Sequence, residues 1–248
     1  MMLDQSAQTD KDRSYQGRIG TYFDESPGST FDKLQNFAKY VPRQTLAAFL
    51  AKAEIFKRIA GIHGHLIECG VFRGQGLATW AQLSAIHEPY AHVRRIVGFD
   101  TFAGFPELSR EDGQPALDYA KPGGLATDGK TDIESALALY DLNRPLGHIP
   151  RVELVVGDAV ETIPKFVEQN QHLVVALLYL DFDLYQPTKV AIEHFYPRMP
   201  RGAAIVFDEL AQANWPGETR AVLDTIGLRR LKIERFSFNP QISFAILD

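Results

Sequence analysis

From Gly61 onward the chain alternates short apolar runs with stretches of helical periodicity, and a parallel sheet covered by helices is the architecture that accepts this rhythm. A parallel strand buried on both faces needs a nearly continuous apolar run, and each crossover to the next strand needs a helix. Strands are expected at 65–69, 94–100, 152–156, 173–181 and 203–208. Helices are expected between them at 77–86, 132–140, 162–169, 188–196 and 219–226. The last two apolar runs, 231–236 and 242–247, have no helix between them and therefore read as an antiparallel hairpin at the sheet edge. The expected fold class is α/β, a doubly wound, mostly parallel seven-stranded sheet.

Ahead of the first strand, Leu46, Phe49, Leu50, Ala53 and Phe56 recur at helical spacing, so residues 31–62 form a helical extension that Pro42 divides. Residues 1–30 are polar and read as an arm that is mobile unless something pins it. The remaining 31–248 suit one domain. The stretch 106–130 carries Gly, Pro and charge without periodicity and is long for a connection. Because it follows the second strand on the side where open α/β sheets bind ligands, it is read as a lid.

Charge and cysteine narrow the setting. With 26 basic and 31 acidic residues the net charge is −5, and no basic stripe stands out, which argues against a nucleic-acid partner. One cysteine, Cys69, excludes an intrachain disulfide. The charged beginning lacks a signal-type apolar stretch, and no apolar run approaches bilayer length, so a cytoplasmic protein without membrane association is expected.

The first strand runs into IECGVFRGQG, which sets Glu68, Gly70, Gly74 and Gly76 at a strand-to-helix turn. A dinucleotide-binding Rossmann sheet would carry G-x-G-x-x-G for a pyrophosphate; here the order is E-x-G-x-x-x-G-x-G. That order resembles the first motif of class I methyltransferases on a Rossmann-like sheet, in which the glycines admit the methionine part of S-adenosylmethionine and the acid holds its ammonium. The cofactor is a zwitterion with a sulfonium cation, so close backbone approach and a carboxylate are what it requires. Asp100, 24 residues beyond Gly76 at the end of the second strand, is placed to receive the ribose hydroxyls. Asp158, in VVGDAVETIP after the third strand, lies where such enzymes set a group near the adenine amine.

The fourth strand ends in DFDLY and the fifth in Asp208-Glu209. If the fourth strand continues, Asp181 and Asp183 share one face, and neighbouring strand ends would gather four acids beside the cofactor crevice. Such acids repel unless a hard cation joins them, and Mg²⁺ suits oxygen ligands. Zinc fits less well, because no Cys/His set stands at ligand spacing.

Taken together, IECGVFRGQG, FDTFAGFP, LYLDFDLYQPT, IVFDEL and NWPGE closely resemble the macrocin O-methyltransferase family, which methylates sugar hydroxyls in antibiotic biosynthesis. The similarity spans roughly 31–226, including the KYVPRQ stretch. It implies a metal held by Asp181, Asp208 and Glu209, with Asp183 as general base. Glu209 stands where the family commonly has aspartate, and none of the seven histidines falls in the stretches where some relatives carry a histidine base. The implied reaction is transfer of a methyl group to a sugar hydroxyl on a small-molecule substrate, with a homo-oligomer as the protein partner left open.

Two rival readings share the sheet. A catechol-type O-methyltransferase would show a lysine soon after its first metal aspartate, where this chain has Phe182, Asp183, Leu184 and Tyr185. A non-catalytic cofactor-binding protein would have no use for the acid cluster. Tyr185, His194 and Trp215 stand open between substrate contact and packing.

Overall fold

Burial of the fourth apolar run organises the sheet. In the computed structural model, which describes residues 9–113 and 117–248, this run forms β4 (Val175–Leu180), buried along its whole length. A strand apolar on both faces belongs in mid-sheet with helices above and below. It pairs in parallel with β1 (His65–Cys69) on one side and β5 (Ala204–Phe207) on the other. Beyond β1 lie β2 (Ile96–Asp100) and β3 (Val152–Val156); beyond β5 lie the antiparallel β7 (Ser243–Ile246) and β6 (Glu234–Arg235). The seven strands run in the order β3-β2-β1-β4-β5-β7-β6, the expected mostly parallel sheet with its antiparallel C-terminal edge.

That order places the reversal of topology between β1 and β4. Ligands of open α/β sheets bind outside the carboxyl ends of strands at such a point. Gly70, just past β1, has φ +97°, and a Cβ there would overlap the carbonyl oxygen of Asp181, just past β4. The two strand ends close on one another because this residue has no side chain.

Helices cover the sheet as α4 (Gln75–His87), α5 (Gly129–Leu142), α6 (Ala159–Gln169), α7 (Tyr185–Phe195) and α8 (Pro216–Asp224). One core unites the inner faces of α6, α7 and α8 with the strands, through Phe99, Ile163, Phe166, Leu178, Phe195, Phe207 and Val222. The ends differ from the sequence expectation in consistent ways. Helix α6 begins three residues early because Asp158 caps it, accepting from Val160 N–H at 2.9 Å. Strands β2, β4 and β5 are shorter than their apolar runs, since a strand lasts only as long as its partners do. The run 231–236 contributes just the two residues of β6, an edge strand with one neighbour.

The chain divides into two compact units, Met1–Leu50 and Ala51–Asp248. In the first, the polar stretch assigned to an arm holds α1 (Asp10–Glu25), started by a reciprocal Thr9–Asp12 capping box, and the helical extension opens with α2 (Thr30–Gln35), started likewise by Ser29 and Asp32. Tyr40 stacks on Tyr22 and meets Phe23 edge-on, with ring centroids 5.6 and 5.2 Å away. Helix α3 (Arg43–Ile59) opens in this unit and delivers its buried residues, Ala51 to Ile59, to the second.

The approach at Gly70 gives the first prediction. Gly70→Ala should lower unfolding free energy by more than about 2 kcal/mol, combining left-handed strain with overpacking. Gly61→Ala, which meets nothing within 4 Å, should change it by less than about 1 kcal/mol. Urea denaturation of both variants checks the contrast.

Candidate active site

The acids gather where β4 and β5 end. Asp181 N–H donates to the Cys69 carbonyl at 2.8 Å, and Asp208 N–H donates to the Leu180 carbonyl at 3.1 Å. Backbone pairing therefore carries one residue past each strand and fixes both side chains at the sheet's lip. Asp181, Asp208 and Glu209 each bring a carboxylate oxygen within 4.8 Å of the others. Asp208 and Glu209 are buried, and Glu209 Oε2 has no hydrogen-bond partner. An oxygen-only triad with an orphaned buried carboxylate oxygen fits a hard divalent cation.

Asp183 reaches this group by a different route from the one its spacing suggested. The expectation that it shares a pleated face with Asp181 is corrected: β4 stops at Leu180, and Asp183 adopts φ +62°. A left-handed turn, rather than the period of a strand, sets its place, and it stays outside the triad while close enough to feel the charge of Asp208. Burial first, then the charges of Asp208 and Asp112, push its carboxyl up to about 8. Asp181 and Glu209 are raised well above the usual carboxylate range, again by burial first and then by neighbouring carboxylates.

Three further residues belong to the assembly, and none was singled out from the sequence. Glu218 on α8 is fully buried; its Oε1 accepts from Glu209 N–H at 3.2 Å while Oε2 has no partner. Lys52 on α3 is buried, with its ammonium 2.9 Å from the Tyr179 hydroxyl and 4.1 Å from that ring's centroid. The Tyr179 hydroxyl donates in turn to Asp208. Lys52 thus stands behind the acids and opposes the upward shifts at Glu68 and Asp181. The available signals were a lysine on the core face of an amphipathic helix, a hydroxyl inside an apolar strand, and the glutamate of NWPGE.

On the cofactor side, Glu68 is buried under α4, its Oε2 without a partner and its carboxyl pushed up to about 8 by burial, which Lys52 opposes. An orphaned carboxylate oxygen beside the glycine turn suits the ammonium of a zwitterion. The glycines also answer to the protein's own packing. A Cβ on Gly74 (φ +81°) would stand 2.6 Å from Ile133, and one on Gly76 would overlap Glu68. Asp100 binds the turn together: Oδ2 accepts from Val71 N–H at 2.8 Å and Phe72 N–H at 2.7 Å, and Oδ1 from Phe102 N–H at 2.7 Å. Its carboxylate shapes the loop before it meets any ligand. Asp158, as the cap of α6, does the same at the end of β3. Of the open aromatics, Trp215 packs with Phe105 and Leu184, and His194 Nδ1 lies 2.9 Å from the Val190 carbonyl one turn back on α7.

Residues 41–226 match the family model described as macrocin O-methyltransferase. The chain belongs to the macrocin O-methyltransferase family. Its fold superposes on the crystal structure of CalS11, a calicheamicin methyltransferase, with a TM-score of 0.92 and 30% identity, covering 99% of this chain and 97% of that one. The apo form of CalS11, described as a TDP-rhamnose 3'-O-methyltransferase, gives 0.84 and 29%, covering 98% and 99%. A curated relative from Streptomyces olivaceus, 8-demethyl-8-(2,3-dimethoxy-alpha-L-rhamnosyl)-tetracenomycin-C 4'-O-methyltransferase, is 28% identical over 155 residues, 61% of this chain. The chain spans about half, 54%, of that relative's length. The O-methyltransferase NovP, at 19% identity and TM-score 0.62, shares the fold. For this family member, no helix among the described residues is long and apolar enough to cross a membrane.

The raised carboxyls set a pH dependence. Glu68 and Asp183 hold their protons up to about 8 in the folded chain, well above the range of about 4 in which exposed carboxyls titrate. The folded state therefore holds more protons across that window, and stability falls as pH rises from about 4 to about 8. In chelator-treated protein the urea midpoint should be higher at pH 6 than at pH 8.5. Lys52→Met should steepen the fall, and equal midpoints at both pH values would contradict the electrostatic picture.

Proposed function

We propose that this chain is an S-adenosylmethionine-dependent O-methyltransferase that methylates a sugar hydroxyl, of the deoxyhexose type carried by glycosylated natural products, with a divalent cation such as Mg²⁺. The observation that carries the reading is the triad Asp181, Asp208 and Glu209, held within 4.8 Å at the topological switch point beside the glycine turn. Family membership and the rhamnose-directed descriptions of CalS11 and the tetracenomycin relative support the acceptor class.

In this reading Glu68 and the turn at Gly70, Gly74 and Gly76 hold the methionine end of the cofactor, Asp100 and Asp158 shape its ribose and adenine ends, and the sulfonium supplies the methyl. Asp181, Asp208 and Glu209 would hold the cation, whose charge would favour the deprotonated form of a weakly acidic hydroxyl. Methyl transfer is an in-line displacement, so the chain's first task is alignment of the acceptor oxygen with the methyl carbon. Asp183 takes the hydroxyl proton as the new C–O bond forms and the C–S bond breaks. The stretch 106–130 excludes water as a lid, with residues 114–116 outside the described ones.

The decisive experiment is transfer of labelled methyl from S-adenosylmethionine to a panel of glycosylated metabolites, nucleotide-linked deoxyhexoses and catechols, with and without chelator. Sugar acceptors should be methylated and chelation should abolish turnover; efficient methylation of catechols alone would remove the sugar assignment, and full activity without metal would remove the cation. Asp183→Asn should reduce turnover by about 10² to 10⁴-fold, the usual contribution of a general base, with cofactor affinity retained. Asp181→Asn and Asp208→Asn should weaken cation binding, measured by calorimetry, far more than cofactor binding.

A further inference from the structure

Helix α7 starts directly after the turn that carries Asp183, and its first N–H groups have no partner within the helix. The capping position is Leu184, which offers no side-chain oxygen. The orphan N–H of Tyr185 instead donates to Asp112 Oδ1 at 2.5 Å, across 73 residues of sequence. Asp112 ends a short 3₁₀ turn, Arg110–Asp112, within the stretch read as a lid, and it is only 1% exposed. Its other oxygen accepts from both the backbone N–H and the hydroxyl of Ser109 at 2.7 Å. One carboxylate thus folds its own segment and caps a helix belonging to the acid cluster, where its negative charge also suits the helix dipole.

Two neighbours give the contact its setting. Gly217, the second residue of α8, lies against it so closely that a Cβ would overlap Asp112 Oδ1, stand 2.6 Å from Tyr185 N and come within 3.1 Å of the Asp183 carbonyl oxygen. Beside it, Phe105, Leu184 and Trp215 form a small apolar cluster with Leu108, Leu117 and Ala120 packed around it. Trp215 meets Phe105 and Tyr119 with ring centroids 5.5 and 6.1 Å away. The segment is therefore docked by an apolar pad and tied at one buried polar point, two residues after the left-handed Asp183.

We infer that Asp112 is a latch and a positioning residue: by capping α7 it holds the 106–113 segment closed and fixes the Asp183 turn, so that closure of this segment and orientation of Asp183 are one event. The inference rests on the role of Asp183 proposed above. When the segment lifts, Tyr185 N–H loses its acceptor and the 183–185 turn loses the wall that confines it. When it closes over an acceptor, both are restored together. Leu184 contributes to both halves, as the non-capping residue of α7 and as a member of the pad.

The test uses two variants that break the contact from opposite sides. Asp112→Ala removes the acceptor; Gly217→Ala leaves the carboxylate in place but fills the space it occupies, at a helical position where alanine is otherwise favourable. Hydrogen exchange of the full-length protein should show amides of 105–113 and of Tyr185 exchanging at least about tenfold faster in both variants, with those of β4 unchanged. Turnover should fall at least about tenfold while cofactor affinity stays within about twofold, and Asp112→Asn, which keeps an acceptor oxygen, should recover most of the loss. Unchanged exchange in both variants overturns the latch, as does unchanged turnover despite faster exchange. Should Asp112→Ala not fold, Gly217→Ala decides through exchange of 105–113 alone, because its added Cβ also approaches the Asp183 carbonyl oxygen and would lower turnover without any latch. If the unaltered protein methylates no sugar hydroxyl, the acceptor assignment fails, and the exchange data still decide whether the latch exists.

Discussion

The site depends on the close approach of two strand ends. Gly70, past β1, lies against the carbonyl of Asp181, past β4, at the place where the sheet's winding reverses. Any side chain at Gly70 would pry those ends apart. With them together, the turn proposed for the cofactor and the cluster proposed for the cation share one lip, and backbone packing sets their separation before any ligand arrives.

Concentrating carboxylates there is costly. Asp181, Asp183, Glu209 and Glu218 are all shifted upward, by burial first and then by neighbouring carboxylates, Asp208 foremost. Part of the opposition comes from within the chain, through the buried Lys52 beside Tyr179, whose hydroxyl is bonded to Asp208. The orphaned oxygens of Glu68, Glu209 and Glu218 mark where the chain leaves charge unanswered. Buried polar groups without partners are rare in folded proteins and concentrate where a ligand is expected, so the same electrostatics that weaken the chain by itself prepare it for cations, whether a metal or the ammonium of a cofactor.

Asp100, Asp158 and Asp112 illustrate a second economy. Each is an acid near the site whose oxygens already hold backbone N–H groups: of the glycine turn, of α6, and of α7. Acids of this kind define the shape of a crevice as well as its chemistry.

Much of this was legible along the chain. Continuous apolar runs such as LVVALLYL can be buried on both faces only in a parallel sheet, so the strand positions and the pairing of β4 with β5 followed from local pattern. Four acids at the ends of β4 and β5 followed too, because they stand where apolar runs break, and of these the tertiary structure brings Asp181, Asp208 and Glu209, the set that the family resemblance implies, within 4.8 Å of one another. What local pattern does not carry is the direction of a side chain after its strand has ended. A face shared by Asp181 and Asp183 required β4 to continue, but it stops at Leu180 and Asp183 lies in a left-handed turn against which Gly217 packs without a side chain. Helix α1 lay hidden in a polar stretch, because side-chain caps rather than apolar periodicity mark where it begins. Lys52, Glu218 and Asp112 went unassigned for a common reason. Their partners are separated from them in sequence by 127, 9 and 73 residues, and only the folded chain puts a buried charge beside the group that answers it.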